Sequence, residues 1–264
     1  MQNLLSAEQL DFWKNQGYLF LPGFLSSSEK ERLTEWTQEL SALPEAPGKW
    51  MKYFESSSFD SEQKILCRIE NFIPYHPGFF DFLQDEKKLS ILSQLMGERA
   101  ILYKEKINFK MPGGKGFKHH QDAPAFTTFG QTYHITMMVA LDPSTLENGC
   151  LEVVRGRHRE GVFPAEADGT IRQDVIDSMR WDPIVMNPGD LLFFDSYVPH
   201  GSAPNRSKAA RRALYVTYNK ASEGNYRDEY FAQKRKFFPP ECERQEGVDY
   251  SQGAGVFNLG NPID

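Results

Sequence analysis

The chain has 264 residues, of which 40% are hydrophobic and 25% are charged, and its formal net charge is -6. This composition is typical of a globular protein that is long enough for one sizeable core. The acidic balance disfavours nucleic acid and anionic membranes as partners, because both attract basic surfaces.

The cysteines and the N-terminus indicate a compartment. Cys67, Cys150 and Cys242 are odd in number and lack CxxC spacing, which argues against a disulfide framework or a thiolate zinc site. The first residues contain neither a basic region nor a long apolar run, so we predict no signal peptide and no membrane span. We therefore expect a cytoplasmic protein.

Helices are predicted in the N-terminal part. The segments Ser6–Gln9 and Ser26–Glu29 are capping boxes, and Gly17 ends the first helix. Between these two helices, residues 18–21 read as a short buried strand. A third helix is predicted at about residues 85–96, and residues 43–62, rich in Pro, Gly and Ser, are predicted to be loop.

From residue 101 the hydrophobic period changes to two, which indicates strands. The predicted strands are Ile101–Lys110, His134–Leu141, Cys150–Val154, Pro183–Met186, Leu191–Phe194 and Arg211–Tyr218. Short strands at fairly regular spacing favour an antiparallel sandwich or barrel with helices outside it. We expect one domain over 1–264: a helical part (about 1–100), a β core (about 101–220), and a tail (221–264) with a helix at 225–238 and loop from 239.

Three residues are candidate metal ligands. In an extended segment, residues i and i+2 point the same way, so His120 and Asp122 can hold one ion. An HxD pair is weak alone, and a hydrogen-bonded surface pair would give the same pattern. His200, which follows the buried strand 191–194, supplies a third ligand. Two imidazoles and one carboxylate on one face suit iron(II) that must also bind a co-substrate and oxygen.

The motif set resembles the phytanoyl-CoA dioxygenase family of 2-oxoglutarate oxygenases. The similarity runs from Gln9–Trp13 and Gly17-Tyr18 through His120-Gln121-Asp122 to His200 and Arg211. It implies a mainly β fold with flanking helices around a double-stranded β-helix (jelly-roll, cupin-like) core, with iron(II), and with 2-oxoglutarate and oxygen as co-substrates. It also implies that Arg211 holds the distal carboxylate of 2-oxoglutarate, for which a guanidinium fork is suited. The adjacent Arg212 should then point outward.

Further residues are pocket candidates by resemblance and strand alternation. Asn108 is the best candidate to hydrogen-bond 2-oxoglutarate, with Lys104, Thr136 and Phe126 as further co-substrate residues. Candidate substrate residues are Lys106, His134, Asn219, Arg68 and Tyr53. Core packing, or lysines that reach solvent at a strand edge, would explain the same pattern. No ligand role is expected of His76, His119 or His158.

The function implied is hydroxylation of an unactivated C–H bond, with 2-oxoglutarate converted to succinate and carbon dioxide. The retained Asp122 favours hydroxylation over halogenation, because related halogenases lack that carboxylate. Surplus lysines predict a small substrate that carries a carboxylate, phosphate or phosphonate, an aminoalkylphosphonate being one option. A non-catalytic β-barrel binding protein and a zinc hydrolase on the same ligands are the alternatives. The oligomeric state is left open.

Overall fold

Helices cover much of the first hundred residues in this computed structural model, which describes residues 4–260 and 262–263. They are α1 (Ala7–Gln16), α2 (Ser27–Ala42), α3 (Pro77–Leu83) and α4 (Glu86–Met96). Both predicted capping boxes are present, with Ser6 and Ser26 as N-caps. Gly17 and Gly97 end α1 and α4 in the left-handed conformation that glycine adopts readily. The helix α3 was not predicted.

Two antiparallel sheets form the β core. Their strands are β1 (Tyr18–Leu21), β2 (Met51–Ser56), β3 (Lys64–Glu70), β4 (Ala100–Lys110), β5 (Phe117–His120), β6 (His134–Ala140), β7 (Leu151–Val153), β8 (Asp182–Ile184), β9 (Leu191–Asp195), β10 (His200–Ser202) and β11 (Arg211–Lys220). The larger sheet has the order β1-β9-β6-β11-β4-β3-β2, and the smaller has the order β5-β10-β7-β8. This confirms the mainly β fold with flanking helices.

The prediction of a loop over residues 43–62 was wrong in part. Met51–Ser56 forms β2, which pairs with β3 at the edge of the larger sheet. The Pro and Gly residues on which the prediction rested precede this strand, and the Ser run begins at its last residue, Ser56. Its short, mostly buried sequence MKYFES has no clean alternation, so the period-two signal was absent.

Apolar residues fill two layers around the larger sheet. On one face Ile107, Val139 and Phe193 pack against residues of α1–α4, including Leu33 and Leu92. On the other face, between the sheets, the apolar cluster comprises Met138, Ala140, Leu151, Val153, Phe194 and Ala213 among others. Polar residues at other inward positions of the same strands belong to the candidate site.

Short helices and the C-terminal helices close one end of the core. They are α5 (Ala123–Phe126), α6 (Gln173–Ile176), α7 (Arg227–Phe237) and α8 (Ser251–Phe257). Phe126, Tyr230 and Phe257 form a buried aromatic cluster there with Tyr53 and Tyr103. The predicted helix at 225–238 is therefore confirmed as α7. From residue 239, where loop was predicted, the chain also forms a 3-10 segment (Glu241–Glu243) and α8. None of the described helices is long and apolar enough to cross a membrane.

Candidate active site

The three candidate metal ligands meet in the smaller sheet. His120 on β5 and His200 on β10 are direct partners across an antiparallel pair, and Asp122 follows β5 by two residues. One ligand atom from each lies within 4.8 Å of the others. The Nε2 atoms of His120 and His200 lie 3.9 Å and 4.0 Å from oxygens of Asp122. All three side chains are buried, so they form a convergent donor set that fits iron(II).

Backbone carbonyls fix the orientation of both imidazoles. The Nδ1 of His120 lies 2.6 Å from the carbonyl of Lys118, and the Nδ1 of His200 lies 3.0 Å from that of Val198. Because a carbonyl only accepts, each Nδ1 carries the proton and each Nε2 is left as a lone-pair donor for a metal. Burial lowers the pKa of His120 to about 3, which keeps that imidazole neutral.

The carboxylate of Asp122 is held ionised by its surroundings. Burial alone would raise its pKa, but His200 and the lysine charges of Lys106 and Lys104 outweigh burial and hold the pKa below its usual range. A deprotonated carboxylate and two neutral imidazoles are the forms in which these groups bind a metal.

Arg211 is a buried cation whose two terminal nitrogens lack partners. Its side chain is 1% exposed, and its Nε donates to Ser144 Oγ at 3.3 Å. Neither terminal nitrogen has a hydrogen-bond partner within the described part of the chain. A buried charge without a counter-ion is unfavourable, so this site fits a carboxylate ligand such as that of 2-oxoglutarate. Arg212, by contrast, forms an ion pair with Asp142 at 2.7 Å.

Asn108 lies in the same pocket as the metal ligands, with its amide orientation fixed. The pocket is lined by Lys106, Asn108, Phe117, His120, Asp122, Leu151, His200, Gly201, Ser202 and Tyr215. The Nε of Arg68 donates to Asn108 Oδ1 at 3.0 Å, which leaves the amide Nδ2 of Asn108 as the donor. Arg68 is itself held by Glu70, which also accepts from Lys234. Arg68 is thus a neighbour of the pocket through Asn108, and this buried charge network was not predicted.

The two surplus lysines lie beside Asp122. Lys104 is 7% exposed, and its ammonium lies 3.3 Å from Tyr230 Oη and 4.3 Å from the ring centre of Phe126. Lys106 Nζ lies 5.5 Å from the ring centre of Tyr215, and no acceptor among the described residues contacts it. Burial lowers the pKa of both lysines, while Asp122 acts in the opposite direction. Lys104 is thus buried, whereas Lys106 is half-buried.

The other predicted pocket residues divide into two groups. Thr136, His134 and Asn219 are buried on the inner face, and Thr136 Oγ1 lies 3.1 Å from Thr217 Oγ1. Tyr53 is buried elsewhere: its hydroxyl donates to the carbonyl of Phe238 at 2.8 Å and its ring stacks on Phe238. The structure therefore does not bring Tyr53 to the pocket. The sequence analysis did not predict that Tyr103 points inward, because the direction of its side chain depends on a β-bulge in β4.

The remaining histidines lie away from the metal ligands. His119 Nε2 contacts Glu152 at 2.7 Å on the opposite face of β5. His76 accepts from the backbone amide of Phe79 as the N-cap of α3. His158 lies in a short 3-10 segment against Gly17. Within the described residues, the one group of three metal-ligating side chains is His120, Asp122 and His200.

The fold and the site together define a class of protein. A two-sheet β core that holds two histidines and a carboxylate, beside a buried arginine that lacks a counter-ion, is the architecture of iron(II)- and 2-oxoglutarate-dependent oxygenases.

Comparison with known proteins gives the family. Residues 13–213 match the family model described as phytanoyl-CoA dioxygenase, and the chain belongs to this family. It is 54% identical over 258 residues, 98% of both chains, to a 2-aminoethylphosphonate dioxygenase of an uncultured bacterium. It is 44% identical over 238 residues, 90% of both chains, to a methylphosphonate hydroxylase of Gimesia maris.

A solved structure shows the same fold. EctD from S. alaskensis, with 2-oxoglutarate and 5-hydroxyectoine, is similar with a TM-score of 0.71 and 21% identity, over 84% of this chain and 79% of that chain. The jelly-roll core predicted from the resemblance is thereby confirmed. The protein is a dioxygenase that uses iron(II), 2-oxoglutarate and oxygen and acts on a small molecule.

Proposed function

We propose that this enzyme hydroxylates a C–H bond of a small organophosphonate, with 2-aminoethylphosphonate as the first candidate. The observation that carries the proposal is 54% identity to a 2-aminoethylphosphonate dioxygenase over 98% of both chains. A second relative that acts on a phosphonate, at 44% identity, supports the same class of substrate.

The charges of the pocket support an anionic substrate. The metal and Arg211 together provide for the two carboxylates of 2-oxoglutarate. Lys104, which is buried, and Lys106, which is half-buried and lines the pocket together with Asp122, are then cations in excess. A buried ammonium group without an anionic partner is unfavourable, so these two cations predict a ligand with a compact, concentrated negative charge. A phosphonate group fits this requirement.

We assign roles to the residues of this chain as follows. His120, Asp122 and His200 hold iron(II), which with oxygen and 2-oxoglutarate supplies the oxidising power that replaces C–H by C–OH. Arg211 anchors the distal carboxylate of 2-oxoglutarate, and the Nδ2 of Asn108 donates to the same co-substrate. Thr136 and Phe126 wall the pocket, while Lys104 and Lys106 bind the phosphonate.

Two other functions fit the site less well. A zinc hydrolase would use the same three ligands, but it has no need of a buried arginine whose terminal nitrogens lack partners. A non-catalytic binding protein has no need of three buried, convergent ligands with fixed ring orientations. We further propose a cytoplasmic location, which the three free cysteines support.

The test is a turnover assay on purified enzyme with iron(II), 2-oxoglutarate and oxygen. We expect 2-aminoethylphosphonate to stimulate succinate release and to give a hydroxylated product in equal amount, detected by phosphorus NMR. Parallel reactions with zinc in place of iron should give neither. Stimulation by carboxylates but by no phosphonate would contradict the proposed substrate class while leaving the enzyme class intact.

A further inference from the structure

Three buried polar atoms without partners lie at one end of the space between the sheets. They are Tyr103 Oη, His134 Nδ1 and Asn219 Oδ1, and each of these residues is 0% exposed. None of the three atoms has a hydrogen-bond partner among the residues that the structure describes. Buried polar atoms are nearly always paired, so a group of three requires a ligand or ordered water.

A β-bulge in β4 creates this group. Thr217 is the partner of Lys104, whereas the next residue, Tyr218, is the partner of Leu102, so Tyr103 is an extra residue in β4. A bulge re-aims side chains, and here Tyr103 and Lys104 both lie on the inner side, where each contacts Phe126.

The partner strands bring the other two atoms to the same place. The ring of Tyr103 lies 4.9 Å from that of His134. Asn219 is the cross-strand partner of His134, so their side chains are neighbours on one face. Phe126 links the group to the metal ligands, because it lies in α5, the short helix that directly follows Asp122, and its ring centre is 5.0 Å from that of His134.

The hydrogen bonds of the surroundings define two of these atoms as acceptors, and the third, a tyrosine hydroxyl oxygen, can also accept. Gln131 Nε2 donates to the carbonyl of Gly224, so Gln131 Oε1 faces His134 Nε2 at 3.3 Å and must accept from it. The Nδ1 of His134 is then a lone pair, and burial, which lowers the pKa of His134 to about 3, keeps it unprotonated. Asn219 Nδ2 donates to the carbonyls of Lys220 and Gly224, which identifies its other atom as an oxygen.

We propose that Tyr103 Oη, His134 Nδ1 and Asn219 Oδ1 form a subsite for a primary ammonium group of the substrate. The inference rests on the proposed phosphonate-hydroxylating function. An R–NH₃⁺ group has three N–H donors, which matches three polar atoms that can each accept a hydrogen bond.

Lys104 follows Tyr103 in β4 and lies close to this subsite, since its ammonium is 4.3 Å from the ring centre of Phe126. Its charge would repel a second cation, but Asp122 and Glu70 oppose it within the protein. The phosphonate of the same substrate would neutralise it further. A zwitterionic substrate would then be held at both ends. Its phosphonate would lie at Lys104 and Lys106, its ammonium group at the subsite, and its C–H bonds between the two. The subsite therefore selects aminated phosphonates over those that lack an amine.

The test compares two substrates that differ in the amine alone, 2-aminoethylphosphonate and ethylphosphonate. Tyr103→Phe removes one oxygen and keeps the ring, and His134→Phe removes the acceptor at a second position. Tyr218→Phe is the matched control, because its hydroxyl donates to the carbonyl of Leu83 on the other face of the sheet. The kcat/KM for each phosphonate and the KM for 2-oxoglutarate are measured for all four proteins.

We expect Tyr103→Phe and His134→Phe each to lower kcat/KM for 2-aminoethylphosphonate about tenfold or more, the loss typical of a hydrogen bond to a charged group. The values for ethylphosphonate and the KM for 2-oxoglutarate should stay as in the wild type, and Tyr218→Phe should change none of them. Equal losses on both phosphonates would show a structural role and overturn the inference. Unchanged values for 2-aminoethylphosphonate would show that the atoms hold only water. If the wild type turned over neither phosphonate, the proposed function itself would fail.

Discussion

Replacement of Arg211 tests how the site binds its co-substrate. The guanidinium is 1% exposed, its two terminal nitrogens lack partners in the described chain, and its Nε has one long hydrogen bond to Ser144. In Arg211→Ala the co-substrate carboxylate would lose its buried, charge-assisted pair. Loss of such a pair costs about 2–5 kcal/mol of binding free energy. This corresponds to a rise in the KM for 2-oxoglutarate of about 30-fold to several thousandfold, at about 1.4 kcal/mol per factor of ten.

The assay is succinate release as a function of 2-oxoglutarate concentration, with iron(II) binding measured anaerobically on the same protein. Iron binding should be unchanged, because Arg211 is not among the converging ligands. Arg211→Lys keeps the charge but loses the planar fork, so its KM should lie between those of Arg211→Ala and the wild type. Arg212→Ala is the matched control, since its ion pair with Asp142 faces away from the pocket. The reasoning would be refuted if Arg212→Ala raised the KM and Arg211→Ala did not.

Three further predictions concern neighbouring residues. Iron(II) binding and turnover should each be lost in His120→Ala, Asp122→Ala and His200→Ala. The control variants His119→Ala and His158→Ala should keep iron binding. Metal titration of the folded variants is the measurement that checks this. Lys104→Met and Lys106→Met should each raise the KM for the phosphonate more than the KM for 2-oxoglutarate. The reason is that both ammonium groups act on Asp122 and are in excess of the cations that the co-substrate needs. Equal effects on the two KM values would count against a substrate role. Tyr53→Phe should lower the free energy of unfolding by about 1 kcal/mol through loss of its hydrogen bond to Phe238, with both KM values unchanged. Denaturant titration and kinetics on that variant check the two parts separately.

Local signals in the sequence were enough to predict the main strands and the three candidate metal ligands that converge in the structure. The HxD spacing predicted that His120 and Asp122 can hold one ion if the segment is extended, and the two residues do converge although the strand ends at His120 and Asp122 directly precedes α5. The capping boxes at Ser6 and Ser26 work within one turn of helix, and both are present. Alternation along β11 predicts that one of the two adjacent arginines points inward, and the family resemblance selected Arg211, which is buried while Arg212 is only partly buried.

Other features depended on contacts between distant segments. Strand β2 is a strand because β3 pairs with it, and its own residues carry no clear period. Arg68 orients Asn108, which lies on the neighbouring strand β4. Arg68 is itself held by Glu70 on its own strand, and Glu70 is paired with Lys234, far along the chain.

Taken alone, the sequence determined which residue types are available to bind iron, the co-substrate and an anionic group. Each of these binding roles requires only one or two side chains at short spacing. Only the tertiary structure decided that Tyr53 turns away to Phe238 while Tyr103 turns in beside His134 and Lys104. For Tyr103 the physical reason is the one-residue bulge in β4. It reverses the inward and outward alternation on one side of itself, and it arises from the pairing of β4 with β11, more than a hundred residues further along the chain.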